Sequence, residues 1–134
     1  MNIADSCGWL EYFGNGANAD FFARAIENTQ QLIAPHLVVY EVCKRLRQLY
    51  GDDGETRGAA FLDKGRLLGR DLTIMHQAAI AIKVHQLAIA DAIIWQTAQT
   101  HQTRLYTQDI ELKGLPGVMF KARPVAVLSR KVPK

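Results

Sequence analysis

Short apolar segments alternate along the chain with longer stretches of helical periodicity, and this alternation restricts the fold more than any other feature. Strands are predicted at residues 2–4, 32–34, 72–75, 104–107 and 118–120. Helices are predicted at residues 8–13, from 18 or 20 to 26, 36–50, 55–68, 77–85 and 90–102. Alternating strands and helices need right-handed crossovers between parallel strands. The prediction is therefore an α/β fold, a three-layer α/β/α arrangement around a mostly parallel, twisted sheet.

Local signals refine two of these helices. Ser6 is predicted to cap the first helix, and the turn residues 51–54 are predicted to end the helix at 36–50. The apolar stripe of that longer helix is predicted to consist of Val39, Val42, Leu46 and Leu49. Glu41 lies off this stripe, so it is free for a polar role.

Length and composition point to one domain. A chain of 134 residues can bury a core, and 49% hydrophobic with 22% charged residues is ordinary for a globular protein. We expect a single domain over residues 1–134, with a basic tail from about residue 124 onward. Cys7 and Cys43 are too few for a disulfide framework and are predicted to be buried free thiols.

The absence of targeting signals and the net charge limit the location and the partners that we expect. The first residues lack a signal-peptide pattern and no apolar stretch is long enough to cross a bilayer, so a cytoplasmic protein without membrane contact is expected. A net charge of +3 suits a polyanionic partner without requiring one. Basic residues gather in two groups, one of Lys44, Arg45 and Arg47 and the other of Lys121, Arg123, Arg130, Lys131 and Lys134.

Four acidic residues stand at the end of a predicted strand or early in a predicted helix, namely Asp5, Glu41, Asp91 and Asp109. In an open α/β sheet, such positions converge on the crevice beyond the carboxyl ends of the strands. Four carboxylates that meet there repel one another unless a cation neutralises them. The pattern predicts a divalent-metal site, and a site of this kind predicts phosphate chemistry.

Three of these acids have ordinary explanations when each is taken singly. Asp5 and Asp109 are favourable helix caps, and Glu41 can pair with Arg45 one helical turn later. Asp91 differs because it lies in the apolar run of residues 87–95, where burying an unpaired carboxylate costs roughly several kcal/mol. A helix N-terminus returns only about 0.3–1 kcal/mol. A metal ion is the economical partner for Asp91.

The predicted ligands favour Mg²⁺, with Mn²⁺ as an alternative, because carboxylate oxygens are hard donors and no sulfur or imidazole stands at ligand spacing. The Thr107 hydroxyl is placed to orient a water or a ligand carboxylate. No GxxxxGK[ST] or GxGxxG follows the first strand, which disfavours NTPases and dinucleotide-binding proteins. No nucleophile elbow surrounds a serine or cysteine, which disfavours hydrolases with such a nucleophile. A phospho-accepting receiver domain would need a paired acid after its first strand.

Five short motifs follow one another over nearly the whole chain. They are Asp5-Ser6 with Trp9-Leu10-Glu11-Tyr12, Pro35 with Glu41-Val42, Ala90-Asp91-Ala92-Ile93-Ile94, Leu105-Tyr106-Thr107-Gln108-Asp109, and Gly114-Leu115-Pro116-Gly117-Val118. In type and order this set resembles the PIN domain family, specifically the VapC toxins of VapBC toxin–antitoxin systems. One departure is Cys7-Gly8, where relatives usually carry a small polar residue and an aliphatic one.

The resemblance implies a Mg²⁺-dependent endoribonuclease that hydrolyses RNA with a metal-activated water, is inhibited by a cognate VapB-like antitoxin and often forms a homodimer. The residues it assigns to catalysis and metal binding are Asp5, Glu41, Asp91 and Asp109. It assigns supporting hydroxyls to Ser6 and Thr107, and Lys44 and Arg45 are candidates for contact with the RNA backbone. One or two ions are compatible with this set.

Two other functions stay open at this point. One is an RNA-processing PIN nuclease that has no antitoxin. The other is a non-catalytic PIN module that binds RNA or a protein, although the presence of all four acids argues against it.

Overall fold

The computed structural model describes residues 1–69 and 71–124 and has the predicted α/β alternation. The strands are β1 Asn2–Ala4, β2 Ile33–Pro35, β3 Arg66–Leu68, β4 Arg104–Thr107 and β5 Val118–Phe120. The helices are α1 Ser6–Phe13, α2 Ala19–Ile26, α3 His36–Leu62, α4 Leu72–His85 and α5 Ile89–Thr100, with 3-10 turns at Thr29–Gln31 and Ile110–Leu112. Most of the predicted basic tail, residues 125–134, lies outside the described part.

All strand pairings are parallel, which confirms the predicted sheet. β1, β4 and β5 form one sheet in the order β1-β4-β5, and β2 pairs with β3. A parallel bridge between Asn2 and Leu32 joins the two parts, so the spatial order is β3-β2-β1-β4-β5. The chain adds β2 and β3 on one side of β1 and then β4 and β5 on the other. The reversal between β1 and β4 is a topological switch point, where open α/β sheets place their ligand crevice.

The segment between α3 and α4 differs from the prediction. The predicted strand at 72–75 is wrong, because Asp71 accepts hydrogen bonds from the Thr73 and Ile74 backbone N–H groups at 2.9 and 3.3 Å and starts α4 there. The predicted helix at 55–68 ends at Leu62, and β3 follows it. β3 was missed because its residues are mostly exposed and carry no buried-strand pattern.

The long helix α3 is interrupted at Gly51. Gly51 has φ 73° and ψ −166°, a conformation that only glycine adopts without strain, and helical geometry resumes after it. The predicted stop at 51–54 is therefore a kink. Leu49 was predicted in the apolar stripe but is 49% exposed, so the prediction is wrong at this position. The next residue, Tyr50, is 57% exposed.

Tight packing beneath the site fixes β1 and α1. Ile3 of β1 and Trp9 of α1 are fully buried, and Phe22 of α2 packs with them in the core. A Cβ at Gly8 would overlap the Phe22 ring, so the glycine that departs from the usual family pattern lets α1 and α2 approach closely. In the described ranges, no single helix is long and apolar enough to cross a membrane, and α4 and α5 reach that composition only as a pair bent by 116°.

Candidate metal centre

Asp5 links the end of β1 to the start of α1. It is 4% exposed, and its Oδ1 accepts a 2.8 Å hydrogen bond from the Ser6 backbone N–H. Asp5 is thus the N-cap, and the prediction that Ser6 caps this helix is wrong. Burial raises the pKa of the Asp5 carboxyl, the hydrogen bonds from Ser6 and Thr107 oppose that shift, and the charges of Glu41 and Asp109 add to it.

Thr107 ties two of the acids together from the end of β4. Its fully buried hydroxyl donates to Asp5 Oδ2 at 3.0 Å and accepts from the Asp109 backbone N–H at 2.9 Å. The Asp109 carboxylate in turn caps the 3-10 turn by accepting from the Glu111 N–H at 2.9 Å. One hydroxyl therefore fixes the orientation of Asp5 and the backbone that carries Asp109.

Asp91 lies in the first turn of α5, a helix whose N-terminus no side chain caps. Desolvation raises the pKa of its carboxyl to about 7, together with a hydrogen bond shared with Asp109 and the charges of Asp109, Asp5 and Glu41. The charged groups that raise the pKa of Asp91 are all acidic, as its sequence surroundings suggested. The carboxyl groups repel one another when they are ionised, and a bound cation would reduce that repulsion.

Three of the four acids share one site. One carboxylate oxygen from each of Asp5, Asp91 and Asp109 lies within 4.8 Å of the other two. Two oxygens bound to one Mg²⁺ at about 2.1 Å lie at most about 4.2 Å apart, so small side-chain movements bring this set into range. An all-oxygen donor set of this kind suits Mg²⁺ or Mn²⁺.

Glu41 stands at the wall of the same cleft rather than in the three-acid cluster. The cleft has a volume of about 610 Å³ and is lined by all four predicted acids and by Ser6. On the other side of Glu41, a second depression is lined by Tyr40, Lys44 and Arg45. Lys44 and Arg45 are exposed on α3, so they border the acidic cleft without entering it.

Cys7 follows Asp5 by two residues and brings a sulfur atom close to the acids. Its Sγ lies 3.7 Å from Asp5 Oδ2 and 3.8 Å from Thr107 Oγ1. Burial and the Asp5 charge raise the pKa of the thiol to about 12, which disfavours the thiolate that binds metals. Both cysteines are free, but they are partly exposed rather than buried as predicted.

Three further polar residues lie in or next to the cleft and were not predicted as part of the site. Gln108 and Arg123 line the cleft, and the buried Asn18 donates through its side-chain amide to Gln108 Oε1 and to the Ala122 carbonyl, both at 3.0 Å. Arg123 was visible in the sequence only as a member of the basic group. Asn18 was visible only as a helix cap, because its partners lie about a hundred residues away.

Solved structures with a similar fold include three from toxin–antitoxin work. A toxin–antitoxin complex from Klebsiella pneumoniae has 21% identity over 89% of this chain and 96% of that chain, with a TM-score of 0.77. DNA-bound VapBC from Salmonella typhimurium has 13% identity over 91% and 97%, with a TM-score of 0.69. The sarcin–ricin-loop-cleaving toxin VapC20 from Mycobacterium tuberculosis has 15% identity over 82% and 91%, with a TM-score of 0.68.

These likenesses establish the fold, and the family is established by sequence. No curated protein matches the chain. The family model described as the PIN domain matches residues 3–118, a span that begins in β1 and ends in β5 and includes all four acids of the cleft. The chain therefore belongs to the PIN domain family.

Proposed function

We propose that this protein is a metal-dependent endoribonuclease of the toxin type, held inactive by a cognate antitoxin. The observation that carries the proposal is the approach of Asp5, Asp91 and Asp109 to within 4.8 Å of one another at the switch point of the sheet. Membership in the PIN domain family supports nuclease chemistry. The toxin and antitoxin parts draw support from the complexes and the RNA-loop-cleaving toxin that share this fold.

Asp5, Asp91 and Asp109 would hold Mg²⁺ or Mn²⁺, with Glu41 reaching the site from the cleft wall. When bound, such an ion lowers the pKa of water and offsets charge on the reacting phosphate. Thr107 keeps Asp5 oriented through its 3.0 Å hydrogen bond, and the Ser6 hydroxyl borders the same space. Asp91, with its raised pKa, is able to hold a proton whenever the site is not neutralised.

The RNA backbone would follow the basic rim of the cleft. Lys44 and Arg45 project from α3 beyond Glu41, where they can contact phosphates on either side of the scissile bond. Such contacts release counterions, so binding would weaken as salt concentration rises. They position the strand without reading its bases.

Partners and compartment complete the proposal. We expect a VapB-like antitoxin to cover the cleft, a homodimer to form, and the protein to act in the cytoplasm, where its RNA substrate lies. Co-expression with the product of a neighbouring small open reading frame, followed by co-purification and size-exclusion chromatography, tests the first two expectations. An RNA-processing PIN nuclease would arrest no growth and would have no such neighbour.

The decisive experiment replaces the acids one at a time. Asp91→Asn and Asp5→Asn should lower Mg²⁺-dependent cleavage of total RNA by about a thousandfold, equivalent to about 4 kcal/mol of transition-state stabilisation, and should remove growth arrest. Asp53→Asn, at an exposed position on α3, makes the same charge change outside the cleft and should behave like the parent. Asn variants that cleave and arrest growth like the parent would rule out this function and leave a binding module.

A further inference from the structure

We propose that Arg123 is the residue that receives an RNA phosphate at the acidic cleft, and that Asn18 positions it there. This inference rests on the proposed nuclease function and adds to it a phosphate-binding group that faces the acids directly. Arg123 lines the same cleft as Asp5, Asp91 and Asp109. Lys44 and Arg45, by contrast, lie outside that cleft.

Two hydrogen bonds hold the backbone that leads to Arg123. The Lys121 N–H donates to the Thr107 carbonyl at 3.1 Å, which continues the β4–β5 pairing past the end of β5. The Ala122 carbonyl accepts the 3.0 Å hydrogen bond from the Asn18 side chain. The residue that follows is therefore delivered to the cleft from a fixed backbone.

Asn18 is committed to this task rather than to its helix. It occupies the N-cap position of α2, yet its side chain makes no capping hydrogen bond. The 3% exposed side chain uses its amide donors for Gln108 and Ala122, and its backbone N–H donates to Glu11 Oε2 at 2.8 Å. Asparagine is favoured at N-caps for the hydrogen bond that this one forgoes. The arrangement instead joins the end of β4 to the segment after β5.

The charge of the cleft gives Arg123 its role. Among the described residues that line it, four are acidic and only Arg123 is basic. Within residues 1–69 and 71–124, Arg123 forms no ion pair with the acids of the cleft. A single divalent cation leaves two of the four formal negative charges uncompensated, and an approaching phosphate meets that surplus. An arginine fork binds phosphate through two parallel hydrogen bonds and offsets this repulsion.

The test measures RNA binding apart from cleavage. In an Asp91→Asn background with Mg²⁺ present, a fluorescein-labelled single-stranded oligoribonucleotide of mixed sequence is titrated at several salt concentrations. Arg123→Ala should weaken binding about ten- to a hundredfold and reduce the log–log salt slope by about 0.7. Arg123→Lys should recover part of the affinity, because it keeps the charge and loses the fork. Lys121→Ala removes a nearby exposed charge outside the cleft and should change binding only a few-fold.

Cleavage of total RNA separates this inference from the function beneath it. A parent that cleaves no RNA contradicts the proposed function itself. If the parent cleaves and Arg123→Ala binds and cleaves equally well, the role of Arg123 is refuted while the nuclease stands. Faster cleavage by Arg123→Ala also overturns the inference, since it would mean that the guanidinium blocks the acids. The affinity of Arg123→Ala for Mn²⁺, measured by calorimetry, should be no weaker than that of the parent.

The positioning role of Asn18 is tested by a double-mutant cycle. Asn18→Ala should weaken RNA binding severalfold, and combining it with Arg123→Ala should cause little further loss, because both changes remove the same contact. Thermal melting of each variant reports whether the fold persists. Losses that add in the double variant would show that Asn18 does not act through Arg123.

Discussion

Two groups of acidic side chains in this molecule are stabilised in opposite ways. On the surface of α3, Arg47 bridges the kink by pairing with Asp52 at 2.6 Å and with Glu55 at 2.7 Å. In the cleft, Asp5, Asp91 and Asp109 face one another, and the pKa values of Asp5 and Asp91 are raised. The first group is paired with a basic residue of the same helix, Arg47. The second group consists of three acids with no basic residue among them.

The difference lies in what brings the acids together. Arg47, Asp52 and Glu55 are close in sequence and lie on either side of the kink at Gly51, so a short stretch of chain brings them together. Asp5 and Asp109 meet because β1 and β4 are parallel neighbours, and the core beneath them holds the carboxylates in place despite their repulsion. Repulsion among these carboxylates lowers the stability of the folded protein, and binding of a cation would raise it again.

After replacement of the acids themselves, the largest effect is expected from Thr107→Val, which keeps the shape of the buried side chain and removes its hydroxyl. Asp5 Oδ2 loses its buried donor and the Asp109 N–H loses its acceptor, so stability should fall by about 1–3 kcal/mol. RNA cleavage should fall about ten- to a hundredfold because both carboxylates lose their orientation. Chemical denaturation and cleavage assays measure the two effects.

Thr103→Val is the matched control, since Thr103 is also buried but donates only a 3.4 Å hydrogen bond to the Ala98 carbonyl, away from the cleft. Its cleavage rate should stay at the parental value. Equal losses in the two variants would mean that Thr107 supports the fold and not the orientation of the acids.

The next effect is on how pH changes the stability of the metal-free protein. Asp91 has a folded-state pKa of about 7 against 3.8 for an ordinary Asp, so the folded state holds a proton that the unfolded state releases. Its contribution to stability is fully present below pH 3.8 and is lost as pH rises to about 7, and Asp5 shifts in the same direction. With EDTA, Tm should fall by a few degrees over that window.

Mg²⁺ should counteract this slope, because it binds the ionised carboxylates and stabilises the folded state most at high pH. Asp91→Asn should flatten the slope in EDTA and raise the metal-free Tm near neutral pH. A parental slope in the Asn variant would show that Asp91 is not the group that titrates. Melts of the parent, Asp91→Asn and Asp53→Asn at matched pH values decide between these results.

The same contrast explains how far the sequence predicts the structure. The strands under the cleft were predicted correctly because β1 and β4 are buried runs that end at a turn, and the acids follow them directly. β3 was missed because Arg66–Leu68 were assigned to the end of the predicted helix at 55–68. The apolar signal at Leu72 suggested a buried strand, yet Leu72 is 85% exposed and is not part of the core. Helix capping by Asp71 overrides that apolar signal.

Within the site, the sequence pointed to the four acids and to the Thr107 hydroxyl that holds Asp5, but not to Asn18, Gln108 and Arg123. Asp91 was identifiable because an acid inside an apolar run has few explanations. Asn18, Gln108 and Arg123 were not, because polar residues at helix starts and strand ends are common and only the tertiary contacts distinguish these three.

A smaller effect is expected from Lys44→Ala combined with Arg45→Ala on the rim of the cleft. Neither side chain lines the acidic cleft, so each phosphate contact should be weak, and RNA affinity should fall only a few-fold. The log–log salt slope should fall by about 1.4, or about 0.7 for each contact. Fluorescence anisotropy on the same labelled RNA measures both values. An unchanged slope would remove these residues from the RNA path and confine binding to the cleft.

The smallest effect is expected from Arg47→Ala in the surface group. The variant loses two exposed ion pairs, each worth about 0.2–1 kcal/mol, and RNA cleavage should stay unchanged because Arg47 does not line the cleft. The loss should shrink at high salt, where exposed charges are screened. Arg57→Ala is the control, because Arg57 is exposed on the same helix and forms no ion pair with residues 1–69 or 71–124. A loss of several kcal/mol, measured by denaturant titration, would mean that Arg47 holds the kink at Gly51 and that this group does more than neutralise its own charges.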